Sequence, residues 1–229
     1  MSLQRRTALV DFARRCDAFI FEDDYNSEFR FNGPPLPCLQ GLDNVDRVIY
    51  AGTMSKILFP SLRLGYLCVP EPLVDSVIKV RSVMDQHSPA IDQATLARFL
   101  TEGFYLSHVK RMRRLYSERR DYFIEQFNRF LGKHFTLEIP EAGLHFVARM
   151  RRPKEMPFFV RARAEAGVMP VKMSYYCIAA ESNGIFLFGF AAWSRAQIRE
   201  GLAKLAAAFE RLKRQGVLAS KDWLDQSEL

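Results

Sequence analysis

Apolar positions change their period along this chain, and the changes mark out its elements. The opening "MSLQRRTALVDFARR" is amphipathic at helical spacing and predicts a helix over about residues 3–16. Short apolar runs follow, and "AFIFED" (18–23), "RVIYAGT" (47–53) and "RLGYLCVP" (63–70) read as strands. A Pro-rich loop, "NGPPLPCLQGL" (32–42), separates the first two. Residues 71–86 return to helical spacing, with Val74, Val77, Ile78, Val80 and Val83 as the apolar set. Pro89 interrupts, and a helical pattern resumes from about 91 to 131 with a break at Gly103. Near the end, "AGLHFVARM" (142–150) and "GIFLFGFAA" (184–192) read as strands around a helix at about 157–167. A last helix over about 194–214 carries Leu202, Leu205, Phe209 and Leu212 as its stripe, with Ser194 as N-cap.

Apolar strands joined by helices and loops predict α/β layering for the first part and an α+β arrangement for the end. The domain boundary is expected inside the long helical stretch, and the division adopted is 1–120 and 121–229. Three strands before residue 71 are few for an α/β sheet. The first domain therefore reads as one whose front is missing, and Met1 as an internal methionine of a longer domain.

Composition adds limits. Hydrophobic residues at 48% and charged residues at 26% are ordinary for a globular protein that folds in water. The formal charge is +7, and much of it lies in "HVKRMRRLYSERR" (108–120). Val109, Met112, Leu115 and Tyr116 recur there at helical spacing, which favours a solvated helix face over a nucleic-acid surface. The four cysteines are scattered without a C-x-x-C pair, so free thiols are expected, and the four histidines lack ligand spacing, so no metal site is expected. No apolar run approaches the roughly 18 residues of a membrane span, and no signal-peptide core is present. A cytoplasmic location is expected.

Two segments carry candidate chemistry. In "FEDDYNSEF" (21–29) an apolar strand runs straight into Glu22, Asp23, Asp24 and Tyr25, and carboxylates at such strand ends lie where α/β ligands bind. In "YAGTMSKILFPSLRLGY" (50–66) Lys56 sits among small and apolar neighbours, with Arg63 seven places on. Taken singly, each has a plainer reading: a polar turn for the first, a snorkelling lysine for the second.

Together, "EDDYNSEF", "VIYAGTMSKILFPSLRLGYL", "EGFYLSHVKRMRRLYSERRDYF" and "GLHFV" resemble the aminotransferase-like domain of the MocR/GabR regulators, bacterial GntR-type transcription factors, over nearly the whole chain. The resemblance implies a pyridoxal-phosphate-dependent transferase of fold type I: a partial large domain with an incomplete mixed sheet and the interdomain helix, then an α+β small domain. It implies that Lys56 forms the Schiff base with pyridoxal phosphate from a partly desolvated position that makes it a better nucleophile. Asp23 would pair with the pyridinium nitrogen, Tyr25 would donate to the ring phenolate oxygen, and Arg63 would hold the phosphate. Thr53 and Ser55 are weaker phosphate contacts. Asp23 is preferred to Asp24 because it is two residues from Tyr25 and shares its face in an extended segment.

Departures from the family pattern matter as much. No winged helix-turn-helix segment is present, so this chain alone is expected not to bind an operator. The absent front would supply the backbone phosphate cradle, the ring that stacks on the cofactor, and much of a homodimer face. The family's substrate-clamping arginine is Ser174 here, in "VKMSYYC" (171–177). Lys172, two residues away, would point the same way in a strand and compensate in part. The leading expectation is an effector domain that binds pyridoxal phosphate and an amino acid or related amine. The alternatives are an aminotransferase working between an amino acid and a 2-oxo acid, and a truncated inactive fragment.

Overall fold

The computed structural model describes all residues except 26, 35, 179–181 and 217–229, so Asn26 of the "EDDYNSEF" motif and Pro35 of the Pro-rich loop lie outside the described residues. The chain divides into two compact units, Met1–Arg113 and Arg114–Leu229.

Unit 1 begins with helix α1 (Leu3–Arg15), whose N-cap Ser2 accepts from the Arg5 N–H and whose last turn carries Arg14 and Arg15 beside the helix C-terminus. Strand β1 (Ile20–Asp24), short helix α2 (Leu39–Leu42), β2 (Val48–Thr53) and β3 (Gly65–Cys68) follow, then α3 (Val74–Met84), α4 (Ala90–Thr101) and the start of α5 (Phe104–Leu131). The sheet order is β1-β2-β3, with β1 parallel to β2 and β3 antiparallel to it. Two small apolar clusters hold this unit. Val10, Leu39 and Val48 pack α1 and α2 onto β2, with Leu9 and Ile20 alongside. Met54, Ile57 and Val109 pack α5 onto the loop after β2.

The break expected at Gly103 is there, as a residue at φ 80° between α4 and α5. The apolar patterns read as β3 and α3, and the helix α4, do not become a core here. All four residues of β3 are exposed, and no residue of either helix is buried. The apolar stripe is real, with Ile78, Val80, Val83 and Met84 all exposed, but no described element covers it.

Unit 2 contains the rest of α5, β4 (Phe135–Glu138), β5 (His145–Met150), α6 (Met156–Ala166), β6 (Val171–Lys172), β7 (Ile185–Gly189) and α7 (Arg195–Gln215). Its sheet is wholly antiparallel in the order β4-β5-β7-β6. Phenylalanines dominate the core. Phe127, Phe135, Phe146, Phe159, Phe186, Phe190 and Phe209 are fully buried, and the rings of Phe159 and Phe186 meet edge to face at 4.7 Å. Helix α7 starts on a capping box between Ser194 and Gln197 and buries Ile198, Leu202, Leu205, Phe209 and Leu212 at helical spacing. At its far end an ionic cluster closes over the core: His134 Nε2 donates to Glu210 at 2.5 Å, Lys133 reaches the same carboxylate at 2.6 Å, and Lys213 holds Glu155 at 2.9 Å.

Candidate functional site

The end of β1 sorts its carboxylates by face. Strand alternation turns Glu22 and Asp24 one way and Phe21 and Asp23 the other, and the burial follows, half-buried against exposed. Glu22 accepts from the Leu39 N–H at 2.9 Å and the Gln40 N–H at 3.1 Å and pairs with Arg6, so it caps α2. Asp24 accepts the Tyr50 hydroxyl at 2.9 Å and the Ser27 N–H at 3.1 Å, and also bonds the Ser27 hydroxyl. Burial, then the hydrogen bond to Asp24, pushes the Tyr50 phenol well above its usual range, so Tyr50 keeps its proton and stays the donor. Asp23 and Tyr25 are both exposed.

Register carries that open face across the sheet. Asp23 pairs with Ala51 on β2, and Thr53, two residues on, ends the strand. On the other face Tyr66 lies over Gly52 so closely that a Cβ at 52 would sit 2.4 Å from its ring. Any side chain there would have to displace Tyr66. Beyond Thr53 the chain turns sharply. The Thr53 hydroxyl accepts from the Ser55 N–H at 3.2 Å and donates to the Leu64 carbonyl at 3.4 Å, which also receives the Met54 N–H at 2.9 Å. The Thr53 donor is thus already used within the turn, while the Ser55 side chain is buried. Met54, Ser55 and Ile57 face inward and Lys56 alone among them is exposed. The partial desolvation expected at Lys56 is not supplied by the described residues of this chain. What they supply is a rigid base.

Arg63 closes a 3₁₀ turn (Pro60–Leu62) in the left-handed region, at φ 50° and ψ 30°. That conformation is uncommon outside glycine and costs of order 1 kcal/mol, so the fold spends stability to hold this guanidinium exposed at the head of β3. Arg63 also lines a wide groove of about 1340 Å³ with Tyr66, Leu67, Val77, Ile78 and Met84.

Helix α5 meets both loops. His108 Nε2 donates to the Ile57 carbonyl at 2.8 Å. The Tyr105 hydroxyl reaches Glu28 at 3.4 Å, and Arg113 Nε donates to the Glu28 carbonyl. Burial, with the Glu28 carboxylate next, pushes the Tyr105 phenol up to about 12. Nothing in the sequence marks these ties, since they join residues 51 to 85 positions apart.

In unit 2, β6 ends at Lys172, and Ser174 lies in a 3₁₀ turn (Met173–Tyr176), exposed where Lys172 is half-buried. The expectation that the two point the same way is therefore corrected, because strand alternation stops at Lys172. A separate cavity of about 440 Å³ in this unit, lined by Val168, Phe188, Trp193 and Ile198, contains none of the expected site residues. No helix among the described residues is long and apolar enough to cross a membrane.

Set beside known proteins, residues 1–205 match the family model for aminotransferase class I and II, and the chain belongs to that family. The probable rhizopine catabolism regulatory protein MocR of Rhizobium meliloti is 39% identical over 220 residues, covering 95% of this chain and 44% of that protein. The HTH-type pyridoxine biosynthesis transcriptional regulator PdxR of Corynebacterium glutamicum is 33% identical over 204 residues, 89% of this chain and 44% of that protein. Among solved structures, the multiple substrate aminotransferase of Thermococcus profundus superposes with a TM-score of 0.81 at 26% identity, covering 94% of this chain and 53% of that one. Pyrococcus horikoshii kynurenine aminotransferase gives 0.83 at 25%, covering 92% and 52%. The chain spans less than half the length of the two regulators and about half of each enzyme. The fold is the α/β transferase fold of type I, and the resemblance to MocR-type regulators holds over most of the chain.

Proposed function

We propose that this chain is the pyridoxal-phosphate-binding, aminotransferase-like effector portion of a MocR-type transcriptional regulator, which binds an amino acid or related amine. The observation that carries the reading is that Asp23, at the end of β1, and Tyr25, just beyond it, are both exposed while Asp24 between them is engaged by Tyr50 and Ser27. A carboxylate and a phenol two residues apart on a strand end fit a pyridine ring that bears a nitrogen and a hydroxyl. The strained Arg63 fits the phosphate, for which a guanidinium fork is well shaped.

Pyridoxal phosphate supplies an electron-accepting ring and an aldehyde carbon that captures amines. The chain's residues do the rest. Asp23 holds a proton on the ring nitrogen, Tyr25 donates to the ring oxygen, and Lys56 supplies the amine that tethers the group. Ser55 is a secondary phosphate contact, and Thr53 serves mainly to fix the turn that presents Lys56. By the resemblance, Ser174 and Lys172 are the residues that would receive a ligand's carboxylate. Serine there favours sensing over turnover, because it lacks the bidentate charged contact that would orient an amino acid for transamination. Recognition of DNA and a homodimeric state belong, on this reading, to the longer protein.

The test is an absorbance titration of the chain with pyridoxal phosphate, then borohydride reduction and peptide mapping. A saturable visible band with the label on Lys56, both lost in Lys56→Ala, is the expected result. Label scattered over surface lysines would overturn the assignment.

A further inference from the structure

The basic segment 108–120, read from the sequence as a solvated helix face, has a second role on its inner side. Tyr105, His108, Val109 and Arg113 fall at i, i+3, i+4 and i+8 on one face of α5. Val109 is buried against Met54 and Ile57, with Leu58, Leu62 and Tyr105 packed around them. His108 Nε2 donates to the carbonyl of Ile57, the residue after Lys56. The Arg111 guanidinium lies 3.4 Å from Nδ1 and can only donate there, so the ring carries its hydrogen on Nε2. Tyr105 and Arg113 grip Glu28 by its side chain and its carbonyl, three residues after Tyr25, and Phe29 beside it is fully buried.

We infer that this face of α5 is a clamp that sets the Lys56 loop and the Tyr25 loop at a fixed separation, with His108 as the positioning residue for Lys56 and Tyr105 with Arg113 as those for Tyr25. None of the three need touch a ligand. Each acts through a neighbour's backbone or carboxylate. The inference rests on the pyridoxal phosphate reading above for what the two loops present, but the clamp itself is a statement about the loops and is measurable without a ligand.

The experiment uses the full chain as wild type, His108→Leu, His108→Gln and Tyr105→Phe. Amide hydrogen exchange is followed in peptides covering 54–59 and 27–30, and borohydride labelling of Lys56 by pyridoxal phosphate is measured in parallel. His108→Leu loses the donor and is expected to speed exchange at 54–59 by about tenfold or more, to lower Lys56 labelling, and to leave 27–30 unchanged. Glutamine places an amide N–H near the position of Nε2, so His108→Gln restores both readouts, which a merely space-filling role would not predict. Tyr105→Phe speeds exchange at 27–30 only. Equal exchange in His108→Leu and wild type would overturn the clamp, as would a His108→Gln variant as impaired as His108→Leu. If His108→Leu does not fold, Tyr105→Phe, which removes a single hydroxyl, decides by whether its effect is confined to 27–30. If wild type takes no label on Lys56, the pyridoxal phosphate reading fails and the exchange result alone judges the clamp.

Discussion

Asp23 and Asp24 are adjacent and chemically identical, yet their surroundings predict opposite consequences for their loss. Among the described residues Asp24 accepts hydrogen bonds from the Tyr50 hydroxyl and from the N–H and hydroxyl of Ser27. The Tyr50 bond is partly buried and charge-assisted, worth about 1.5 kcal/mol, and the two exposed Ser27 bonds add about 0.5 kcal/mol each. Asp24→Ala should therefore destabilise unit 1 by about 2 to 3 kcal/mol, and Tyr50→Phe by the larger part of that. Asp23 is exposed, so Asp23→Asn should leave stability within about 0.5 kcal/mol of wild type. On cofactor the order reverses. If Asp23 is the partner of the ring nitrogen, as proposed, Asp23→Asn removes the charge that would keep it protonated, so pyridoxal phosphate affinity should fall by about tenfold to a hundredfold, while Tyr50→Phe keeps most of it. Hydrogen exchange over residues 20–28 reads the first effect and the visible absorbance titration the second. The reasoning is refuted if Asp23→Asn unfolds the strand end, or if Asp24→Asn rather than Asp23→Asn abolishes the band.

Two further outcomes are expected. On the proposed role of position 174, Ser174→Arg would supply a bidentate carboxylate contact and should tighten amino-acid binding to the pyridoxal-phosphate-loaded chain by about 10- to 100-fold, while affinity for simple amines stays flat, as spectral titration with matched pairs would show. Acid should weaken unit 2 in two stages. Burial, opposed by the Glu210 hydrogen bond, holds the His134 pKa below 6.5, so as pH falls through that value the unfolded chain takes up the proton first and stability drops. Burial pushes the Glu155 carboxyl up, but Lys213 and Arg152 outweigh it, and Lys133 lowers Glu210, so a second loss begins as pH falls through about 4.5. Thermal melts across pH should show His134→Gln lacking the upper stage, and a flat wild-type profile between neutral pH and pH ~5.5 would count against it.

The sequence declares what local chemistry dictates. The capping box at Ser194, the stripe of α7 and the stop at Gly103 were legible because cap, period and turn residue each lie within a few positions of what they control. The alternation that leaves Asp23 exposed and Asp24 half-buried was legible for the same reason, as a two-residue period. Strand β4 was not, since "FTLE" is too short to show a period, and β6 contributes only Val171 and Lys172. The shared orientation given to Lys172 and Ser174 failed because a 3₁₀ turn begins between them. His108 was invisible as a positioning residue, because a polar residue on a basic helix gives no sign of the carbonyl 51 residues away that receives its hydrogen. The exposed position of Lys56 went unseen too, because its apolar neighbours turn inward without enclosing it.

The uneven covering of the two units has a thermodynamic consequence. Unit 2 closes its phenylalanine core beneath α7, whereas α3, α4 and β3 contain no fully buried residue. Free energy of opening is set by local burial, so the chain is not one cooperative system, and a single melting temperature or unfolding free energy does not describe it. Proteolysis and exchange are expected to sample the β3 edge, unpaired among the described residues, long before the unit 2 core opens. A ligand that engages Arg63, at the head of β3, would therefore act beside the part of unit 1 with the least burial of its own. There the same binding energy shifts the populations of open and closed forms furthest.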